Sequence, residues 1–218
     1  MERQPGVAKV GVEDQKTAYS VCDVSDSCDQ LGLPCVRTGA IQPVYAECPP
    51  FTGTISTVRL EPGPGMPLDS LVDVFRKTDN DAVFIDLGGR TDMQCWGTVL
   101  ATAASVCGVR AALVNGAVRD AAGLATMKFP TFARGVHPAT MRGRLRLVET
   151  ETDVLIDGQA VSPGWAVAAD ANGAIFFPKE HAAKVFGRAK EIAAAEQRLL
   201  DQIRHARQPM AVLDAMLT

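Results

Sequence analysis

The chain lacks several features that would place it in a familiar class. No apolar run approaches the roughly 20 residues that a bilayer-crossing helix needs, so no transmembrane helix is expected. The first residues, Met1-Glu2-Arg3-Gln4-Pro5, carry neither the apolar stretch nor the small-residue cleavage site of a secretory signal, which predicts a cytoplasmic protein with reduced thiols. Positive charge is not in excess: 22 Lys and Arg against 25 Asp and Glu leave a net charge of -3, and the basic residues are scattered. Nucleic acid is therefore not an expected partner. The cysteines, at 22, 28, 35, 48, 95 and 107, never form paired C-x-x-C knuckles and read as small buried hydrophobes. His137, His181 and His205 are isolated and show no ligand spacing. No linker, repeat or low-complexity tract divides the 218 residues, which predicts one domain over 1–218. Within it, residues 1–16 are expected to form a flexible arm and 179–218 a C-terminal helical extension.

What is present is an alternation of helical and strand-like segments. Residues 17–31 carry small or apolar side chains at helical spacing and stop at Gly32. After Pro49-Pro50, residues 53–60 alternate and are rich in β-branched residues, as a strand does. Helical spacing returns at Leu68, Leu71, Val72 and Phe75. The run Ala82-Val83-Phe84-Ile85-Asp86-Leu87 then reads as a buried strand opening onto Gly88-Gly89-Arg90. Gly97 precedes a helix stopped by Gly108, and Ala111-Ala112-Leu113-Val114 is a second buried strand running into Asn115-Gly116-Ala117-Val118-Arg119-Asp120. From 129 to 178 short strands separated by Asp157-Gly158, Pro163-Gly164 and Asn172-Gly173 predict hairpins packed as a second sheet. A long helix is expected over about 179–207, polar enough to be partly exposed or used between subunits.

In a strand-helix-strand unit, ligands favour the carboxyl ends of the strands. Two strand ends, Gly88-Gly89-Arg90 and Gly116 to Asp120, and the helix start at Gly97 are expected to converge there. Free N–H groups at a helix start attract a carboxylate, a guanidinium donates to an oxyanion, and a carboxylate holds a hard cation. Together they suit a small 2-oxo acid. A surface ion pair explains the Arg119-Asp120 dipeptide better when it is taken alone.

The stretch Ile85-Asp86-Leu87-Gly88-Gly89-Arg90, then Trp96-Gly97, Gly108-Val109-Arg110 and Asn115-Gly116-Ala117-Val118-Arg119-Asp120 resembles the RraA-like family. That family includes the 4-hydroxy-4-methyl-2-oxoglutarate and 4-carboxy-4-hydroxy-2-oxoadipate aldolases and the RNase E inhibitor. Residues 25–32 are similar to its first helix and 163–178 to its C-terminal hairpin, so the likeness spans roughly 17 to 195. It implies a layered α/β/β/α sandwich with a C-terminal helix, assembled as a homotrimer or homohexamer. It implies a metal-dependent lyase of the aldolase or decarboxylase class, with Asp120 holding Mg²⁺ or Mn²⁺ and Arg119 the keto oxygen of a 2-oxo acid. Gly97 and the amides of Val99 and Leu100 would bind the substrate carboxylate. The alternative within the same resemblance is a non-catalytic protein-binding regulator, and retention of the Asp120 charge favours the enzyme.

The chain also departs from the family pattern. In the aldolases an acidic residue stands twenty-one positions before the Arg; here that catalytic position holds Thr98. A threonine hydroxyl cannot take up a proton at pH 7, so decarboxylation of a β-keto acid is expected to survive better than retro-aldol cleavage. Gly123 stands where aldolases often carry an acid, Trp165 and Asn172 where Asp is common. Glu191 on the last helix is the candidate acid that a neighbouring subunit would supply. Lys128, the lysine nearest the Arg-Asp pair, is expected to be solvated or packed rather than to form a Schiff base.

Overall fold

A computed structural model describes residues 18–206. The arm expected over 1–16 and the end of the C-terminal extension, 207–218, lie outside the described residues. In chain order the elements are α1 (Val21–Leu31), β1 (Val36–Thr38), β2 (Gln42–Pro43), β3 (Phe51–Pro62), α2 (Leu68–Lys77), β4 (Ala82–Asp86), α3 (Thr98–Val106), β5 (Ala111–Val118), α4 (Ala121–Met127), β6 (Thr131–Val136), β7 (Leu145–Thr150), β8 (Val154–Ile156), β9 (Gln159–Val161), β10 (Ala166–Asp170), β11 (Gly173–Phe177) and α5 (Ala182–His205). No helix among the described residues is long and apolar enough to cross a membrane.

One sheet runs in the order β1-β11-β10-β3-β4-β5-β6-β2, with β7 also paired to β3. The twelve-residue β3 is the hinge of this sheet. Its first residues pair antiparallel with β10, its middle pairs parallel with β4, and its end pairs with β7. The hairpins expected to form a separate second sheet are therefore hydrogen-bonded into the first through β3. Only the β8-β9 hairpin stands apart. The reason is length: Phe51–Pro62 extends beyond the expected 53–60 at both ends and has edge to share.

The sheet bends at β3 so that its two halves face each other. Phe84 on β4 and Phe176 on β11 meet edge-on with ring centroids 5.5 Å apart, although β3 and β10 separate their strands in the hydrogen-bonded order. Alternation along each strand then sorts side chains into three cores. Val83, Ile85, Ala112 and Val114 face α2, α3 and Leu124 of α4. Ala82, Phe84, Leu113 and Phe132 face Val36, Val167 and Phe176 between the half-sheets. Ala166, Ala168, Ile175 and Phe177 face Val24 and Cys28 of α1 and Val185 and Ala189 of α5. The layers are thus α, β, β, α, as expected, with α2, α3 and α4 on one outside face and α1 and α5 on the other. Burial in the last of these cores pushes the Cys28 thiol up to about 12, in keeping with its reading as an inert hydrophobe.

Local signals account for the helix ends. Ser20 and Asp23 form a reciprocal capping box at the start of α1, and Gly32 closes it in the left-handed region at φ 62°. The short helix α4 is not apparent from periodicity; its seven residues include Gly123 and bury one side chain, Leu124.

Candidate functional site

Strand β5 is buried along all eight residues and delivers Arg119 and Asp120 at its carboxyl end, where the backbone turns into α4. Asp120 sits there at φ 60° and ψ 37°, a left-handed conformation that costs a non-glycine residue about 1 kcal/mol and collects at functional positions. Its carboxylate does not cap its own helix. It turns instead to the start of α3, where Oδ2 accepts from the Thr98 amide at 3.3 Å and the Thr98 hydroxyl at 3.0 Å. The Arg119 guanidinium lies 3.5 Å from the same oxygen. Arg119 is fixed from behind by its amide, which donates to the Trp96 carbonyl at 2.9 Å.

Gly97 is where α3 and the Arg-Asp pair meet. A Cβ there would lie 2.8 Å from Asp120 Oδ2 and 3.0 Å from Arg119 Cγ, so any side chain would push the pair away. Gly123, in the first turn of α4, is under the same constraint: a Cβ would fall 2.4 Å from Thr98 Cγ2. The glycine at 123 and the threonine at 98 therefore fit each other. The N-cap residue Gly97 has no side chain to offer α3, and Val99 and Leu100 in its first turn line a cleft of about 130 Å³. Gly97, Arg119 and Gln94 line that cleft with them, and Met66, Leu68, Thr140, Met141 and Arg142 form its other wall.

The structure brings Arg119, Asp120, Thr98, Gly97, Val99 and Leu100 together. It does not bring Gly88 and Gly89 to the same cleft, correcting the expected convergence of the two strand ends. The glycine pair lines a separate hollow of about 520 Å³ with Asp86, Asn115 and Arg134. The physical cause is the strand order: Asp86 and Asn115 are side-by-side partners whose side chains bond to each other on the face toward β8, away from α3. Sequence reasoning missed Gln94 and Arg142. Neither stands in a recognisable spacing, and the loop carrying Arg142 reaches the cleft only by tertiary packing, with Gly143 bonded to Gly65 at 2.6 Å.

The remaining candidates sit elsewhere. Glu191 pairs with Arg188 at 2.7 Å on α5, in the outer layer opposite α3, so it is not among the residues lining this chain's own cleft. His137 accepts from the Ala139 amide through Nδ1, and His205 meets the Asp201 carbonyl. Lys128 ends α4 in the left-handed region and is exposed. Trp165 packs against the core between the half-sheets, while Asn172 turns the β10-β11 hairpin by bonding Asp170. No group of three or more His, Cys, Asp and Glu suited to a metal occurs among the described residues.

Comparisons with known proteins agree with this architecture. A putative 4-hydroxy-4-methyl-2-oxoglutarate aldolase of Halalkalibacterium halodurans is 25% identical over 182 residues, covering 84% of this chain and 83% of that protein. The protein DlpA of Legionella pneumophila is 26% identical over 120 residues, and an uncharacterised protein of Methanocaldococcus jannaschii is 30% identical over 115. The matched stretches span only 20% and 55% of those two proteins. Among solved structures, an uncharacterised protein from Pseudomonas syringae superposes with a TM-score of 0.76 at 22% identity, over 89% of this chain and 92% of that one. An unusual member of the RNase ES inhibitor RraA family from Streptomyces coelicolor gives 0.74 at 20% identity, over 86% and 94%. These likenesses show the fold. The family model for RraA-like proteins, described as Aldolase/RraA, matches residues 21–176, and the chain belongs to that family.

Proposed function

We propose that this protein is a divalent-metal-dependent carbon–carbon lyase acting on small 2-oxo acids, with its centre at Arg119 and Asp120. The observation that carries the reading is the left-handed Asp120, whose carboxylate is turned from its own helix and fixed by Thr98 beside the Arg119 guanidinium. That strained arrangement is more than a surface ion pair requires.

The donor set fits a hydrated Mg²⁺ or Mn²⁺. Asp120 spends Oδ2 on Thr98 and keeps Oδ1 without a hydrogen bond among the described residues. Such ions are commonly held by one or two carboxylates, with water and substrate oxygens filling the other positions. When bound at Asp120, the cation would supply positive charge to an enolate oxygen.

This chain's own residues would do the rest. The amides of Val99 and Leu100 hold the substrate carboxylate at the start of α3, and Arg119 donates to the keto oxygen. In a β-keto acid such as oxaloacetate the distal C–C bond breaks, CO₂ leaves, and the electron pair passes to the enolate that Arg119 stabilises. Protonation at carbon then gives pyruvate. A 4-hydroxy-2-oxo acid must in addition lose its hydroxyl proton. Thr98 cannot serve as the base, because a neutral alcohol oxygen is far too weakly basic to take up a proton at pH 7. Decarboxylation is therefore favoured over aldol cleavage, and Thr98→Asp should shift the balance toward cleavage.

The assay is pyruvate release from a panel of 2-oxo acids with Mg²⁺ or Mn²⁺. Arg119→Ala and Asp120→Ala should each lower kcat/KM at least a hundredfold. Undiminished turnover in both would sink the site, and aldol cleavage equal to decarboxylation in the parent would sink the preference.

The exposed apolar residues of α3 and α4 support assembly into a homotrimer or homohexamer. Val99 and Val106 on α3 and Met127 on α4 are 64%, 84% and 37% exposed. A protein-binding regulator is the second reading, favoured by the same apolar surface; it predicts partner binding that is indifferent to Asp120→Ala.

A further inference from the structure

Gln94 is the residue of the cleft whose chemistry is unspent. It is 1% exposed, yet its side-chain Oε1 has no hydrogen-bond partner. Its backbone is anchored on both sides, the amide to the Ala139 carbonyl at 3.3 Å and the residue in a bridge to Ala117. Gln94 is among the residues that line the cleft, with Arg119 and Met141. A buried amide left without a partner weakens the fold unless something else engages it. The residues that line the cleft with it include the apolar Leu68, Leu100 and Met141, and none of the polar ones bonds its Oε1.

We infer that Gln94 is a specificity-determining residue that hydrogen-bonds a hydroxyl group of the bound 2-oxo acid. This rests on the reading of the cleft given above. An alcohol is the group that suits a carboxamide in either orientation, because it donates to Oε1 and accepts from Nε2. A site built around such a polar contact rejects a ligand that lacks the group, since the amide is then buried without a partner again. The selectivity set at Gln94 is for binding and is separate from the reaction that Thr98 allows afterwards.

One other group competes for the amide. Trp96 Nε1, two residues along the chain, is a buried donor also without a partner. Were an internal water to join the two, Gln94 would be structural. The sign of a stability change separates these roles. If Oε1 awaits a ligand, Gln94→Met, which keeps the length and removes the polar atoms, raises the Tm of the free protein. If a water joins it to Trp96, the same change strands the indole N–H and lowers the Tm.

The test titrates the full chain with 2-oxoglutarate and 4-hydroxy-2-oxoglutarate, in Mg²⁺, following tryptophan fluorescence. These ligands differ by one hydroxyl. The parent should bind the hydroxylated acid at least tenfold more tightly. Gln94→Met should erase that preference, leave the affinity for 2-oxoglutarate within twofold, and show a raised Tm. Equal effects on both ligands, no effect on either, or a lowered Tm overturns the inference while Arg119→Ala, which should weaken both acids, still upholds the site. Binding of both acids undiminished by Arg119→Ala, or absent from the parent, removes the site reading and this inference with it.

Discussion

At the scale of single residues, Gly123 and Thr98 form a matched pair. An alanine at 123 would place Cβ 2.4 Å from Thr98 Cγ2, and the nearest relief is rotation of Thr98, which takes its hydroxyl off Asp120. Gly123→Ala should lower kcat/KM about tenfold, equivalent to about 1.4 kcal/mol. Thr98→Ser removes the methyl group that would clash and keeps the hydroxyl. The double variant Gly123→Ala/Thr98→Ser should therefore recover most of the loss, and a double-mutant cycle on kcat/KM reads the coupling directly. Additive losses would show that the two residues do not act through this contact. Both departures from the aldolase pattern were visible in the sequence, but that they touch was not. Residues 98 and 123 lie on different helices and meet only after both helices pack on β5.

At the scale of elements, the β8-β9 hairpin is tied to the main sheet by a polar chain rather than by backbone pairing. Asn115 on β5 donates to Asp86 on β4 at 2.7 Å and to the Leu155 carbonyl at 3.1 Å, and accepts from Arg134 on β6 at 2.5 Å. Arg134 in turn holds Asp157 at 2.6 Å, which also accepts from Thr38. Asn115 is 2% exposed, so Asn115→Ala leaves Asp86 and Arg134 short of partners and should cost about 2–3 kcal/mol. For a chain of this size that is a Tm decrease of roughly 5–10 °C in thermal denaturation.

The same chain of bonds should respond to acid. The Arg134 guanidinium, and then the Thr38 hydroxyl, hold the Asp157 carboxyl below its ordinary 3.8. A depressed pKa means that the folded state favours the ionised form, so this stabilisation is full above the unfolded value and fades as pH falls through the folded one. Asp157→Asn should accordingly lower the Tm at pH 7, by a gap that narrows as pH falls below 3.8. A Tm gap between the two proteins that stays constant over this range would refute the linkage.

At the scale of the molecule, Val136, Leu155 and Leu200 are exposed singly on β6, β8 and α5, whereas Val99, Val106 and Met127 share the α3 and α4 side. Assembly through that side would cover Val106, exposed though it is apolar. Val106→Asp should reduce the mass in multi-angle light scattering to that of one chain and leave the Tm of the monomer little changed. An unchanged mass would place the interface elsewhere. The core between the half-sheets is a second property of the whole. Phe176 fills it against Phe84, and Phe176→Ala should destabilise by about 3–5 kcal/mol.

The strand-helix-strand unit that carries the Arg-Asp pair is legible in the residues alone. Continuous apolar runs such as residues 82–87, bounded by glycines, leave a buried strand as the consistent solution, and Gly97 with helical spacing after it sets a helix start. The motifs of the sequence also carried the family resemblance and the four-layer architecture. How strands distant in sequence share edges is settled only in the folded chain. Alternation fixes which face of a strand is buried, yet it does not name the partner, and β3 has two edges and twelve residues on which β4, β7 and β10 all find places. The same holds at the cleft. Gly88 and Gly89 close a strand just as Gly116 to Asp120 do, and only side-chain direction across the finished sheet sends one loop toward Asn115 and leaves the other facing α3. Gln94 and Arg142 reached the cleft by that packing alone, from segments with no period to betray them.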